Sequence, residues 1–159
     1  MGEIIDWTIG DRNMKIRFEN ENDFIVYGYA VETILSSCEK DVGQLWERYR
    51  EDLLSIPESK SCLYGVMWYT KEHKYFYLLG IKSEKQPKSD MTAVTIPAAN
   101  FAIATVPDNM DTIDAWTQYF EKELPHLGYL PDAEHGRYFE FYHSNEKCEL
   151  WTPVKKQVY

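Results

Sequence analysis

The sequence predicts an α+β fold of two pseudo-symmetric β-α-β-β units on an antiparallel sheet, with a central ligand cleft between them. Three observations lead there. Strand-like segments alternate apolar or aromatic residues with polar ones, two amphipathic helical stretches are each followed by a hairpin, and the element order is the same in both halves of the 159 residues. A chain of this length buries roughly 70% of its unfolded surface without a metal or disulfide staple. Residues 1–159 are therefore expected to form a single domain, with 14–90 as a first unit behind an N-terminal extension and 91–156 as a second.

Ile4 to Phe18 reads as two short strands around the turn Gly10-Asp11-Arg12-Asn13. In the second of them Met14, Ile16 and Phe18 alternate with Lys15 and Arg17, the pattern of a half-buried strand. Asn20-Glu21-Asn22-Asp23 is a turn. Phe24 to Glu32 is β-branched and aromatic, a strong strand in which Gly28 marks a bulge or a close backbone approach. After a polar connection over 33–41, Asp41 can cap a helix from Val42 to Leu54, with Leu45, Trp46, Tyr49 and Leu53 on one face. Ser61–Tyr69 and Tyr75–Ile81 form a hairpin around the polar turn Thr70–Lys74, and the charged linker Lys82–Asp90 divides the chain.

The second half repeats this order. Ala93 to Val106 is strand-like and broken near Pro97-Ala98. Asp111 can cap a helix over Thr112–Leu124 whose inner face carries Ile113, Trp116, Phe120 and Leu124, and Pro125 and Gly128 end it. Arg137–Tyr142 and Cys148–Val154 form the second hairpin. Trp46 and Trp116 occupy matching helix positions, and Tyr49 and Tyr119 keep the same offset. Two such units can pair their strands and leave a crevice at the seam, where ligand sites are favoured.

Composition excludes several function classes. The charge of −9 and the pI of about 4.9 leave no Lys/Arg cluster for a nucleic-acid backbone, so no nucleic acid is expected to bind the chain by itself. Cys38, Cys62 and Cys148 are odd in number and widely spaced, as expected of reduced thiols in a cytoplasmic protein. The N-terminus lacks the features of a signal peptide, and no apolar run approaches the ~20 residues that cross a bilayer, so no membrane contact is expected. His73, His126, His135 and His143 lack metal-ligand spacing, so neither a metal nor another cofactor is expected.

Aromatics make up 15% of the chain, and their densest run is Arg137-Tyr-Phe-Glu-Phe-Tyr142. Strand alternation puts Tyr138, Glu140 and Tyr142 on one face and Phe139 and Phe141 on the other. A carboxylate among rings is costly to bury without a task or a partner. It suits a flat cation, through charge and cation–π contact, and it suits a general base, because desolvation raises a carboxyl pKa. The alternative is a Glu140 paired with a neighbouring Arg or Lys, or an exposed one. Tyr64 and Trp68, Trp151, and Tyr27 with Tyr29 are further ring candidates for the same cleft, each readable also as core.

These segments resemble GyrI-like and AraC-type effector-binding domains. The resemblance runs from about residue 14 to 156 and is carried by Phe24–Thr33, Leu45–Tyr49, Tyr64-Gly65-Val66, Tyr75–Gly80, Ile96–Ala102, Trp116, Phe139–Tyr142 and Thr152-Pro153-Val154. It implies a central cleft in which the glutamate at Glu140 meets flat cationic drugs. The candidate ligand-binding set is then Glu140, Tyr142, Tyr138, Trp68, Tyr64, Trp151, Tyr29 and Phe101. The resemblance also implies two alternatives: a hydrolase of cyclopropane-bearing alkylating toxins with Glu140 as the catalytic base among cleft aromatics, and a protein-interaction module such as a topoisomerase modulator. Haem binding, known in related two-repeat folds, has no convincing axial His here. The chain has too few residues outside the resemblance for a helix-turn-helix.

Overall fold

The structure, a computed structural model, describes residues 14–70, 73–132, 134, 137–145 and 147–158. The expected strand from Ile4, the turn at Gly10-Asp11-Arg12-Asn13 and His135 lie outside these residues. The strands are β1 (Ile16–Glu21), β2 (Phe24–Ile34), β3 (Leu63–Tyr69), β4 (Lys74–Lys82), β5 (Thr92–Ile96), β6 (Ala99–Thr105), β7 (Tyr129–Pro131), β8 (Tyr138–Tyr142) and β9 (Cys148–Lys156). They form one antiparallel sheet in the order β1-β6-β9-β8-β3-β4-β2-β5, with β7 paired to β9. The two halves share a strand order: β3-β4-β2 on one side of the middle and β8-β9-β6 on the other. Among the described residues no helix is long and apolar enough to cross a membrane.

The first strand of each half crosses to the other half. β1 pairs with β6 and β5 pairs with β2, although only residues 22–23 separate β1 from β2 and only 97–98 separate β5 from β6. Three Cα steps span at most about 11 Å. Six strand spacings, the distance from β1 to β2 across a flat sheet, would be about 28 Å. The sheet therefore curls until its two ends nearly meet. Ring contacts agree: Phe24 of β2 and Phe139 of β8 lie three strands apart in the sheet, yet their centroids are 5.8 Å apart. The inner face of the curl is closed by Val26, Val66, Leu78, Ile96, Phe101, Ile103, Phe139 and Trp151.

The helices cover the outer face. α1 (Cys38–Leu54) lays Leu45, Trp46, Tyr49 and Leu53 on Tyr27, Tyr77 and Leu79. It begins four residues before the expected Val42. Asp41 is not its cap: the carboxylate accepts from Thr33 Oγ1 at 2.8 Å and Ser37 Oγ at 3.0 Å, tying the end of β2 to the first helical turn. α2 (Thr112–Gln118) is capped as expected, Asp111 accepting from Asp114 N–H at 2.8 Å. A π-helical turn (Tyr119–Glu123) and a last turn, α3 (Leu124–His126), follow. Pro125 has no N–H and crowds the carbonyl four residues back, which accounts for the wider turn: Leu124 N–H reaches Tyr119 O instead. The buried face is Ala115, Tyr119 and Leu124, so Ile113, expected inside, is 46% exposed. Gly28 is a close approach rather than a bulge. It pairs with Gly80 in unbroken register, and a Cβ on it would sit 2.0 Å from Leu79 O.

Candidate functional site

The two halves join where β3 pairs with β8. The register sets Leu63 opposite Tyr142, Gly65 opposite Glu140 and Met67 opposite Tyr138. These six residues share the outer, helix-bearing face; Tyr64, Val66, Phe139 and Phe141 point into the curl. Tyr142 packs against both outer clusters, the one under α1 and the one under α2, which places it on the seam between the helices.

Glu140 lies at the middle of that seam and is 5% exposed. Its Oε1 accepts from Tyr77 OH at 2.8 Å and Tyr142 OH at 2.7 Å, and its Oε2 accepts from Trp116 Nε1–H at 2.9 Å. Trp46 Nε1–H donates to Tyr77 OH at 3.1 Å. The matched tryptophans of the two helices thus enter one network, Trp116 directly and Trp46 through a tyrosine. All these donors are neutral. Burial holds the Glu140 carboxyl above its ordinary range, against the three donated bonds that favour the charged form. Burial and then the carboxylate's charge push the phenols of Tyr77 and Tyr142 up, so both keep their protons and donate. Trp46, Met67, Trp116, Tyr138 and Tyr142 around the carboxylate are half-buried, and Tyr69 beyond them is 70% exposed.

Of the candidates from sequence, Glu140, Tyr138 and Tyr142 come together here. Trp68, Tyr64, Trp151 and Phe101 do not: all four line the inner face of the curl. Trp151 stacks on Phe139 with centroids 5.2 Å apart, and Phe101 meets both rings. Trp68 lies under the Arg137 guanidinium, 5.1 Å from the ring centre, while Arg137 Nε–H donates to Thr95 O on edge strand β5. The physical reason is register. Gly65, not Tyr64, faces Glu140, and period two sends Tyr64 and Trp68 the other way. Tyr29 is on the outer face but on β2, stacked on Tyr49 at 3.9 Å and donating to Asp90 at 3.0 Å.

Tyr77, Trp46 and Trp116 are the network members that the candidate set lacks. The signal for the tryptophans was their matched helix position; Tyr77 had none beyond alternation. The other strongly paired acid, Glu149, differs in kind. Burial raises its carboxyl, but Arg17, at 2.7 Å, overrides this and holds it below the ordinary range. A cavity of about 830 Å³ lies beside Phe18, Glu19, Asn20, Tyr129, Val154 and Lys156. It shares no residue with the Glu140 network and is lined largely by exposed polar groups.

Comparison with known proteins agrees with this architecture. The profile of the GyrI-like small molecule binding domain matches residues 14–155. An integron cassette protein from the mobile metagenome of Vibrio cholerae is 16% identical, with a TM-score of 0.67 over 88% of this chain and 95% of that one. SAV2435, solved bound to tetraphenylphosphonium, is 10% identical, with a TM-score of 0.68 over 88% and 93%. A hydrolase from Listeria innocua is 10% identical, with a TM-score of 0.54 over 88% and 91%. No curated protein matches in sequence.

Proposed function

The chain belongs to the GyrI-like small-molecule-binding family, and from that premise we propose that it binds planar, hydrophobic, cationic compounds at the ring-lined seam over Glu140. One observation carries the reading. Glu140 is a buried carboxylate whose hydrogen-bond partners among the described residues are two tyrosines and a tryptophan, with no Arg or Lys among them. Its charge is thus stabilised but not neutralised, and half-buried ring faces surround it. A flat cation supplies the missing charge and meets those faces through cation–π contact. Tetraphenylphosphonium, the ligand in the SAV2435 structure, probes the charge and the ring contacts: its phosphorus is tetrahedral, but each phenyl presents a flat face. The −9 charge supports the same choice of a cationic ligand.

The pH dependence of affinity tests this. The carboxyl's pKa is raised in the folded protein by burial, so its charge is present above a midpoint shifted up from the ordinary carboxyl range and lost below it. Tetraphenylphosphonium affinity should fall as pH drops through that midpoint. The ligand-free fold should behave in the opposite sense. Its stability is greatest below the unfolded value and declines as pH rises through the folded pKa, and bound cation should offset that decline. Calorimetric titration over about pH 4 to 8 reads the affinity directly. A flat profile contradicts the proposal.

A second reading, hydrolysis of cyclopropane-type electrophiles, is favoured by the same raised carboxyl, which suits a general base near neutrality. Glu140 would take a proton from the water as its oxygen bonds to a ring carbon; a ring C–C bond breaks, its electron pair passes into the electron-accepting group attached to the ring, and that group takes up the proton. Mass spectrometry separates the two readings: a bound compound returns intact, a hydrolysed one returns heavier by one water.

A further inference from the structure

We propose that Gly65 is the positioning residue of the carboxylate site: its missing side chain leaves the space through which the Tyr77 hydroxyl reaches Glu140. The starts of β2 and β6 (24 and 99) and of β3 and β8 (63 and 138) both differ by 75, and so do Gly65 and Glu140. The same place in the two halves therefore carries an acid in one and a void in the other, and the two residues face each other across the seam. A Cβ built on Gly65 would lie 2.1 Å from Tyr77 Oη, 2.6 Å from Tyr77 Cζ and 2.9 Å from Glu140 Oε1. Those are the atoms of the 2.8 Å bond from Tyr77 to Glu140.

No backbone reason for glycine exists at this position, since Gly65 is absent from the residues with positive φ. A mid-strand glycine is otherwise unfavourable, for it loses backbone entropy and packs nothing. The gain lies in the network. With a methyl at 65 the Tyr77 ring must move off, Oε1 keeps only Tyr142 as donor, and Trp46 loses its link to the carboxylate. Gly65 thus acts on Glu140 through Tyr77 and is not itself a ligand contact.

The inference rests on Glu140 being the functional acid, but its test needs no ligand. The Glu140 carboxyl carbon is followed by NMR across pH in the wild type, Gly65→Ala, Tyr77→Phe and the double variant. The titratable groups facing Glu140 are Tyr75 and Tyr77 on β4, Tyr142 on β8 and Cys148 on β9. Burial first pushes all four up, followed by the carboxylate's charge for Tyr77, Tyr142 and Cys148 and by Cys38 for Tyr75, leaving the acid range to Glu140. α1 and α2 contribute the uncharged Trp46 and Trp116. Losing one bond to the charged form should raise the Glu140 midpoint by about one pH unit in Tyr77→Phe. Gly65→Ala should match that rise, and the double variant should add nothing further. An unchanged midpoint in Gly65→Ala, or a double variant that shifts by the sum, overturns the proposal. Should Gly65→Ala not fold, Gly65→Ala/Tyr77→Leu, with the obstructing ring removed, is expected to fold and melt close to Tyr77→Leu alone. Failure of that rescue also overturns it. A midpoint that shifts alike in Gly65→Ala and Tyr77→Phe, while tetraphenylphosphonium does not bind the wild type, would leave Gly65 as the positioning residue and reject the ligand assignment instead.

Discussion

Glu140→Gln should weaken tetraphenylphosphonium binding by about tenfold to a hundredfold and leave a neutral compound of like shape within about twofold. The range follows from a charge pair a few ångströms apart at partial burial, roughly 1.5–3 kcal/mol. The substitution keeps the size of the side chain and removes only the charge. Its carbonyl can still accept from Tyr77 and Tyr142, but its amide then faces the Trp116 N–H, donor against donor. Binding of the neutral compound is the control for that local cost. On the hydrolytic reading the same variant loses turnover and keeps affinity for a neutral toxin, because a general base acts in the transition state more than in the ground state. Affinity and turnover measured together on one variant therefore separate the two readings. If neither changes, Glu140 is a structural acid.

Phe139→Ala should cost about 3–5 kcal/mol of stability. Phe139 is 1% exposed and touches the rings of Phe24, Tyr64, Phe101 and Trp151, so it is the centre of the curled sheet's inner core. Among the described residues no helical side chain belongs to that inner cluster, so none is placed to close the cavity left behind. A chemical denaturation series measures the loss. The companion variant Trp151→Leu should also destabilise, yet leave tetraphenylphosphonium affinity within about twofold, because its ring is on the far face from Glu140. A stable Trp151→Leu protein that no longer binds would return the inner rings to the ligand site.

The strands, both helices and the hairpins could be read from alternation and periodicity, because those depend on local spacing alone. The break at Pro97-Ala98 was legible too, but its consequence was not. A two-residue connection that carries β6 to the opposite end of the sheet from β5 is a matter of pairing, which no local pattern encodes. That swap decides the rings. Period two divides Tyr64 and Trp68 from Gly65 and Met67, but only the curl determines which face is sealed. The many rings need little helix to cover them because the sheet covers them itself. Glu140 stood out as an acid amid aromatics. Its neighbours Trp46 and Trp116 were legible as matched helix positions, whereas Tyr77 became visible only once register had set a glycine beneath its hydroxyl. Pro125 signalled the end of a helix and instead widens one turn within it.

The most direct test of a ligand site at the seam is the structure of the protein crystallised with tetraphenylphosphonium. The expected result is the cation on the outer face between α1 and α2, its phenyl rings against Trp46, Trp116 and Tyr138 and its charge above Glu140. A cation lodged elsewhere, in the cavity beside Phe18 and Lys156 or among Trp68, Tyr64 and Trp151, would contradict it.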